Sequence, residues 1–114
     1  MKTPLILALL AAGPAMAQER PVLTVYAGDY VASEWGPGPK IKEGFEAFCD
    51  CELRFVTGDI LPRILMEGER TEADIIFGLT PDVTTRARAS NLFAPHGQDT
   101  TGLSLPVEWP DPVF

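Results

Sequence analysis

Cys49 and Cys51 stand on either side of Asp50, and the one histidine, His96, lies far along the chain in Ala94-Pro95-His96-Gly97. Two thiols and a remote imidazole fall short of the four tetrahedral ligands that a zinc site takes, so no metal is expected, and no cofactor either. A Cys-x-Cys pair has three outcomes: a local disulfide, two free thiols, or thiol exchange. In an extended segment the two side chains point the same way, but their Cα atoms lie near the upper limit for a bridge, so bridging requires a turned backbone. No Cys-x-x-Cys at a helix N-terminus is present to lower a thiol pKa. A structural bridge therefore ranks first, free thiols second and redox catalysis third. His96 sits among turn residues away from any nucleophile. The sequence has no Ser-His-Asp spacing, paired-carboxylate frame or Gly-rich phosphate loop, and the chain is not read as an enzyme. What remains is a set of polar residues at the ends of apolar runs: Gly28, Asp29 and Tyr30 with Trp35 nearby, then Gly58 and Asp59, then Gly78 to Asp82.

The elements that must position these residues are legible. Val22, Leu23, Val25 and Tyr26 make a β-branched and aromatic run suited to a buried strand, ended by Ala27-Gly28-Asp29. Gly36-Pro37-Gly38-Pro39 cannot extend a strand and place a proline where a helix can begin. Ile41, Phe45 and Phe48 then give that helix an apolar face. Residues 52–57, ELRFVT, read as a second strand, and residues 60–69 as a short helix in which Pro62 is tolerated in the first turn. Residues 73–79, ADIIFGL, form a continuous apolar run, as in a strand covered on both faces. Thr80 as N-cap and Pro81 as first helical residue open a thin surface helix over residues 82–90. From Asn91 onward, scattered prolines exclude a helix and predict an extended tail.

Strands alternating with helices predict an α/β fold: a parallel sheet with flanking helices. Ligands on such sheets bind beyond the carboxyl ends of the strands, and all three strand ends here are polar. Gly and Asp suit such turns whatever they bind, so it is their recurrence along one rim that marks the candidate site.

Residues 1–17 combine basic Lys2, an apolar core from Leu5 to Ala12 and an A-x-A site at Ala15-Met16-Ala17. This is the pattern of a cleaved secretory signal peptide, too short in its apolar core to span a bilayer. No cysteine follows the cleavage site to carry a lipid. The formal charge is −7, and removing Lys2 leaves 8 basic against 16 acidic residues, or −8. Nucleic acid is thereby excluded as a partner, while a cationic ligand suits the balance. The 97 residues after the leader suffice for one small domain and not for two lobes.

The string SEWGPGPKIKEGFEAFCDCELRFV, with TVY before it and LMEG, ADIIFGL and NLFAPHG after it, resembles the N-terminal part of periplasmic thiamine-binding proteins, the solute receptors of ABC importers. The resemblance runs over essentially the whole chain after the leader. It implies a receptor that closes its ligand between two lobes, with residues 18–90 as part of lobe one and residues 91–114 as a tail leading toward lobe two. It implies a periplasmic protein that binds thiamine or thiamine phosphates and, at full length, serves a membrane ABC permease. Family receptors are much longer, so this chain is expected to be an N-terminal fragment that does not bind tightly. Thiamine carries a cationic thiazolium and a flat aminopyrimidine. On that reading Asp29 and Asp59 supply charge, Tyr30 and Trp35 supply aromatic faces, and backbone N–H groups at Gly58 and Asp59 meet a phosphate. Trp35 has an equal claim as the anchor of the Gly-Pro turn on the sheet. Two departures stand out: Gly28 replaces an aromatic residue of the family pattern, and the loop between Asp59 and Leu61 is about four residues short. Alternatives are a receptor for iron, a polyamine or a phosphonate, and a small exported thiol-disulfide protein built on Cys49 and Cys51.

Overall fold

A computed structural model describes residues 19–104 and 111–114; the leader expected at residues 1–17 lies outside them. Strand β1, Val22–Ala27, is central and pairs in parallel on both sides. On one side lies β2, Glu52–Thr57, registered from Val22 opposite Glu52 to Ala27 opposite Thr57. On the other lies β3, Ile75–Phe77, with Val25 opposite Ile75 and Ala27 opposite Phe77. The strand order is therefore β2-β1-β3. Val25, Tyr26 and Ala27 are all buried, as the middle strand of a covered sheet requires.

Between β1 and β2 come α1, Asp29–Ala32, and α2, Gly38–Cys49. The single turn of α1 buries Val31 completely. The chain then folds back so tightly that a Cβ on Gly36 would sit 2.0 Å from the Tyr30 carbonyl oxygen, and one on Gly38 2.5 Å from that of Val31. Both glycines of the Gly-Pro turn are thus fixed by close backbone approach. The apolar face expected on α2 does form, but it is not covered: Phe48 is 87% exposed, Ile41 and Phe45 are also exposed, and Gly38 is the one buried residue of the helix. What α2 gives the sheet is polar. Lys42 donates to the Leu53 carbonyl, and Glu46 accepts the Leu53 N–H at 2.8 Å. These bonds occupy the outward-facing groups of Leu53 on edge strand β2 and so blunt unwanted pairing at that position.

Helix α3, Ile60–Glu67, buries Leu61 and Ile64 and ends at Gly68, where a 3₁₀ turn, Gly68–Arg70, replaces the last residues expected in the helix. One cluster fastens α3 to β1. The buried Tyr26 hydroxyl donates to Glu67 at 3.0 Å, as do Thr71 at 2.8 Å and Arg63 at 2.8 Å, and the Arg63 guanidinium lies 4.6 Å from the Tyr26 ring centre.

The third strand differs most from expectation. It is three residues long where seven were expected, and it is not covered on both faces: Ile75 is 46% exposed and Phe77 is exposed as well. Among the described residues no strand pairs with its outer edge, so the apolar run of residues 73–79 has only one neighbour to bury against. Helix α4, Pro81–Ala89, starts at the residue expected, with Thr80 at the N-cap. The Thr80 hydroxyl makes no capping bond; the Thr80 carbonyl accepts from the Val83 N–H instead. Residues 92–100 have no regular secondary structure. The chain end is tied back all the same, by an Arg88–Asp111 ion pair, a His96 N–H bond to the Pro112 carbonyl and a Phe93–Phe114 ring contact at 5.3 Å.

Candidate functional site

Because the three strands are parallel, their carboxyl ends share one rim, and Gly28-Asp29, Gly58-Asp59 and Gly78-Leu79-Thr80 meet there. A cavity of about 270 Å³ opens on this rim between the start of α3 and the start of α4. Asp59, Leu61, Gly78, Thr80, Val83 and Arg86 are among the residues that line it. Asp59 reaches it because the link from β2 to α3 is only Gly58 and Asp59, with Gly58 at φ 134, a value that favours glycine. Arg86 projects from α4 three residues after Val83, on the same helix face, and makes no ion pair among the described residues. A carboxylate and a guanidinium thus border one cavity, able to take a cation on one side and an anion on the other.

Of the residues expected at the site, Asp59 lines the cavity and Gly58 sets its approach. Asp29 opens α1 at the adjoining end of β1. Tyr30 is 61% exposed and does not line the cavity, but its hydroxyl lies 2.7 Å from where a Cβ on the lining residue Gly78 would be. Trp35 is 92% exposed and lines neither the rim cavity nor the sheet flank, so it does not anchor the Gly-Pro turn. Thr80 falls within the Gly78 to Asp82 strand end expected on the rim, whereas Arg86 was not singled out from the sequence. One basic residue on a thin helix carries no local signal, and only the placement of α4 beside β3 turns it toward the rim.

A larger concavity of about 820 Å³ runs along β3 and the tail, lined by Phe45, Ile75, Phe93, His96 and Phe114 among others. It lies along the flank of the sheet, mostly walled by apolar side chains, which marks it as uncovered core. His96 is held there by its backbone surroundings: Nδ1 accepts the Gln98 N–H at 2.9 Å, and Nε2 lies 3.2 Å from the Asp111 carbonyl oxygen. Both ring nitrogens are thus engaged.

Cys49 and Cys51 are joined in a disulfide with Cα atoms 5.2 Å apart, and no cysteine is free. The turned backbone that a Cys-x-Cys bridge requires is supplied by Asp50, at φ 49 and ψ 39 in the left-handed region that closes α2. Arg20 donates to the Cys51 carbonyl and lies 3.7 Å from the Asp50 carboxylate. Among the described residues no group of three or more His, Cys, Asp or Glu side chains is placed to hold a metal, and no helix is long and apolar enough to cross a membrane.

No protein-family model matches the chain. The thiamine-binding periplasmic protein of Brucella suis is 46% identical to it over 113 residues, covering 96% of this chain and 34% of that protein. Its counterpart in Salmonella typhimurium is 41% identical over 118 residues, covering 100% and 36%. A solved structure described as a periplasmic thiamin binding protein superposes with a TM-score of 0.76 at 38% identity, over 92% of this chain and 33% of that one. The fold is the corresponding part of one lobe: a parallel sheet flanked by helices. Sequence and fold together place the chain with the thiamine-binding periplasmic proteins, of whose length it spans about a third.

Proposed function

We propose that the chain forms one wall of the ligand site of a periplasmic receptor for thiamine or its phosphates, serving an ABC importer and performing no catalysis. The observation that carries this reading is the identity of 41–46% across essentially the whole chain to proteins named for thiamine binding. The rim agrees with it in chemistry. Asp29 and Asp59 offer charge to a thiazolium cation and Tyr30 an aromatic face, while Arg86 and Thr80 offer a counter-charge and a hydrogen bond to a phosphate. Trp35 contributes only if a second wall folds over it, since here it faces solvent. Export to the periplasm rests on the leader pattern of residues 1–17 and on the relatives' names.

The test is a chimera in which this chain replaces the matching third of the Salmonella relative, followed by calorimetry. Thiamine should bind, and iron, a polyamine and a phosphonate should not compete. A folded chimera that binds one of those solutes and not thiamine refutes the reading. Arg86→Gln should weaken thiamine phosphate and spare thiamine; equal effects on both would remove Arg86 from phosphate recognition. A thiol-exchange function gains nothing from the geometry, because Cys49 ends α2 and the negative end of a helix dipole opposes a thiolate.

A further inference from the structure

Gly28 and Gly78 sit at the carboxyl ends of neighbouring strands β1 and β3, and one side chain reaches both. A Cβ on Gly28 would lie 2.9 Å from Tyr30 Cε1 and 3.0 Å from Cδ1. A Cβ on Gly78 would lie 2.7 Å from the Tyr30 hydroxyl oxygen and 3.8 Å from Cζ. The two positions differ in why glycine stands there. Gly78 has φ 94, where any side chain is strained. Gly28 has φ −64 and ψ 152, ordinary extended backbone open to every residue, so what it supplies is space. Its missing side chain leaves room for an aromatic ring and for nothing else within 4 Å.

Packing does not account for that ring. Tyr30 is 61% exposed, so laying it across the rim gains little burial, whereas Val31 beside it is fully buried and holds α1 on the sheet. Gly78 also lines the rim cavity with Asp59 and Arg86, so the tyrosine hydroxyl lies against a residue of that cavity's wall. We infer that Gly28 and Gly78 form a two-glycine seat that lays the Tyr30 ring across the ends of β1 and β3, presenting its open face as the stacking platform for a flat cationic ring. The inference rests on the thiamine reading and adds to it a specificity device: the aromatic face is offered from position 30 because position 28 is empty. An exposed aromatic face attracts a ring cation weakly, and a fixed ring attracts it better than a mobile one.

The test separates the seat from the ligand. In NMR spectra of the full chain, the Tyr30 ring should show contacts to the Hα atoms of Gly28 and Gly78. Gly28→Ala should abolish them while leaving the β1 and β2 backbone signals in place, since alanine fits the backbone there. In the receptor chimera, Gly28→Ala and Tyr30→Ala should each weaken thiamine binding roughly two- to fivefold, and the double variant should be no weaker than Tyr30→Ala alone. Tyr30→Phe keeps the ring and should retain affinity. The inference is overturned if Gly28→Ala leaves the Tyr30 contacts intact, if the two effects add, or if Tyr30→Ala binds thiamine as the parent chimera does. A parent chimera that folds and binds no thiamine instead overturns the reading beneath it, and the NMR contacts report on the seat in either case.

Discussion

Gly36 in the Gly-Pro turn and Gly44 inside α2 should respond to alanine with opposite signs. A Cβ on Gly36 would stand 2.0 Å from the Tyr30 carbonyl oxygen and 2.5 Å from that of Val31, and both atoms are backbone. Neither can rotate away, so relief requires α1 to separate from the Gly-Pro turn, loosening the fully buried Val31. Overpacking of this kind costs about 1–3 kcal/mol, and here the upper end applies because the added Cβ meets backbone atoms. Gly44 lies inside α2 with nothing within 4 Å of its Cβ position. Alanine there relieves the unfavourable glycine in a helix and should stabilise by about 0.5–1 kcal/mol. With a urea m-value of about 1 kcal/mol/M for a small domain, Gly36→Ala should lower the midpoint by roughly 2–3 M and Gly44→Ala raise it by roughly 0.5–1 M. Urea unfolding of the full chain followed by circular dichroism reads both. Shifts of the same sign, or a Gly36→Ala midpoint equal to that of the parent, would refute the claim that the Gly-Pro turn is set by backbone contact.

Titration of the isolated chain with thiamine should show no saturation at micromolar ligand. One open rim leaves the cation and ring exposed, and losing several kcal/mol of enclosure at 1.4 kcal/mol per tenfold turns a nanomolar site into a roughly millimolar one; saturable micromolar binding by a monomer would show that the rim suffices alone. The exposed Phe48 and Ile75 predict self-association, which Phe48→Glu with Ile75→Lys should reduce in sedimentation velocity; unchanged association would place the contact elsewhere. Glu46 and Glu67 are held below the ordinary value of 4.5, chiefly by hydrogen bonds from Lys42 and Arg63 respectively. Carboxylates depressed in the folded state contribute stability above their unfolded value and lose it as pH falls through the folded one. Stability should therefore hold down to about pH 4.5 and decline below it, less steeply in Glu67→Gln; an acid limb of unchanged slope in that variant would exclude Glu67 as a contributor.

Local chemistry made most of the elements readable. β1 and β2 appear where β-branched and aromatic residues cluster, α3 and α4 begin where Pro62 and Pro81 fit a first turn, and the Gly-Asp ends of the first two strands fall on the rim.

By itself, the sequence determined the α/β alternation and the rim that follows from it, because strand and helix periods and turn residues act over a few neighbours. Only the tertiary structure decided that β1 is central, that Arg86 and Asp59 border one cavity, that Trp35 faces solvent, and that Tyr30 lies over Gly28 and Gly78. It also decided that the apolar runs of α2 and β3 go uncovered, since hydrophobicity says that a residue gains from burial but not which surface will bury it. Pairing between segments tens of residues apart sets those outcomes, and no local period in the chain encodes it.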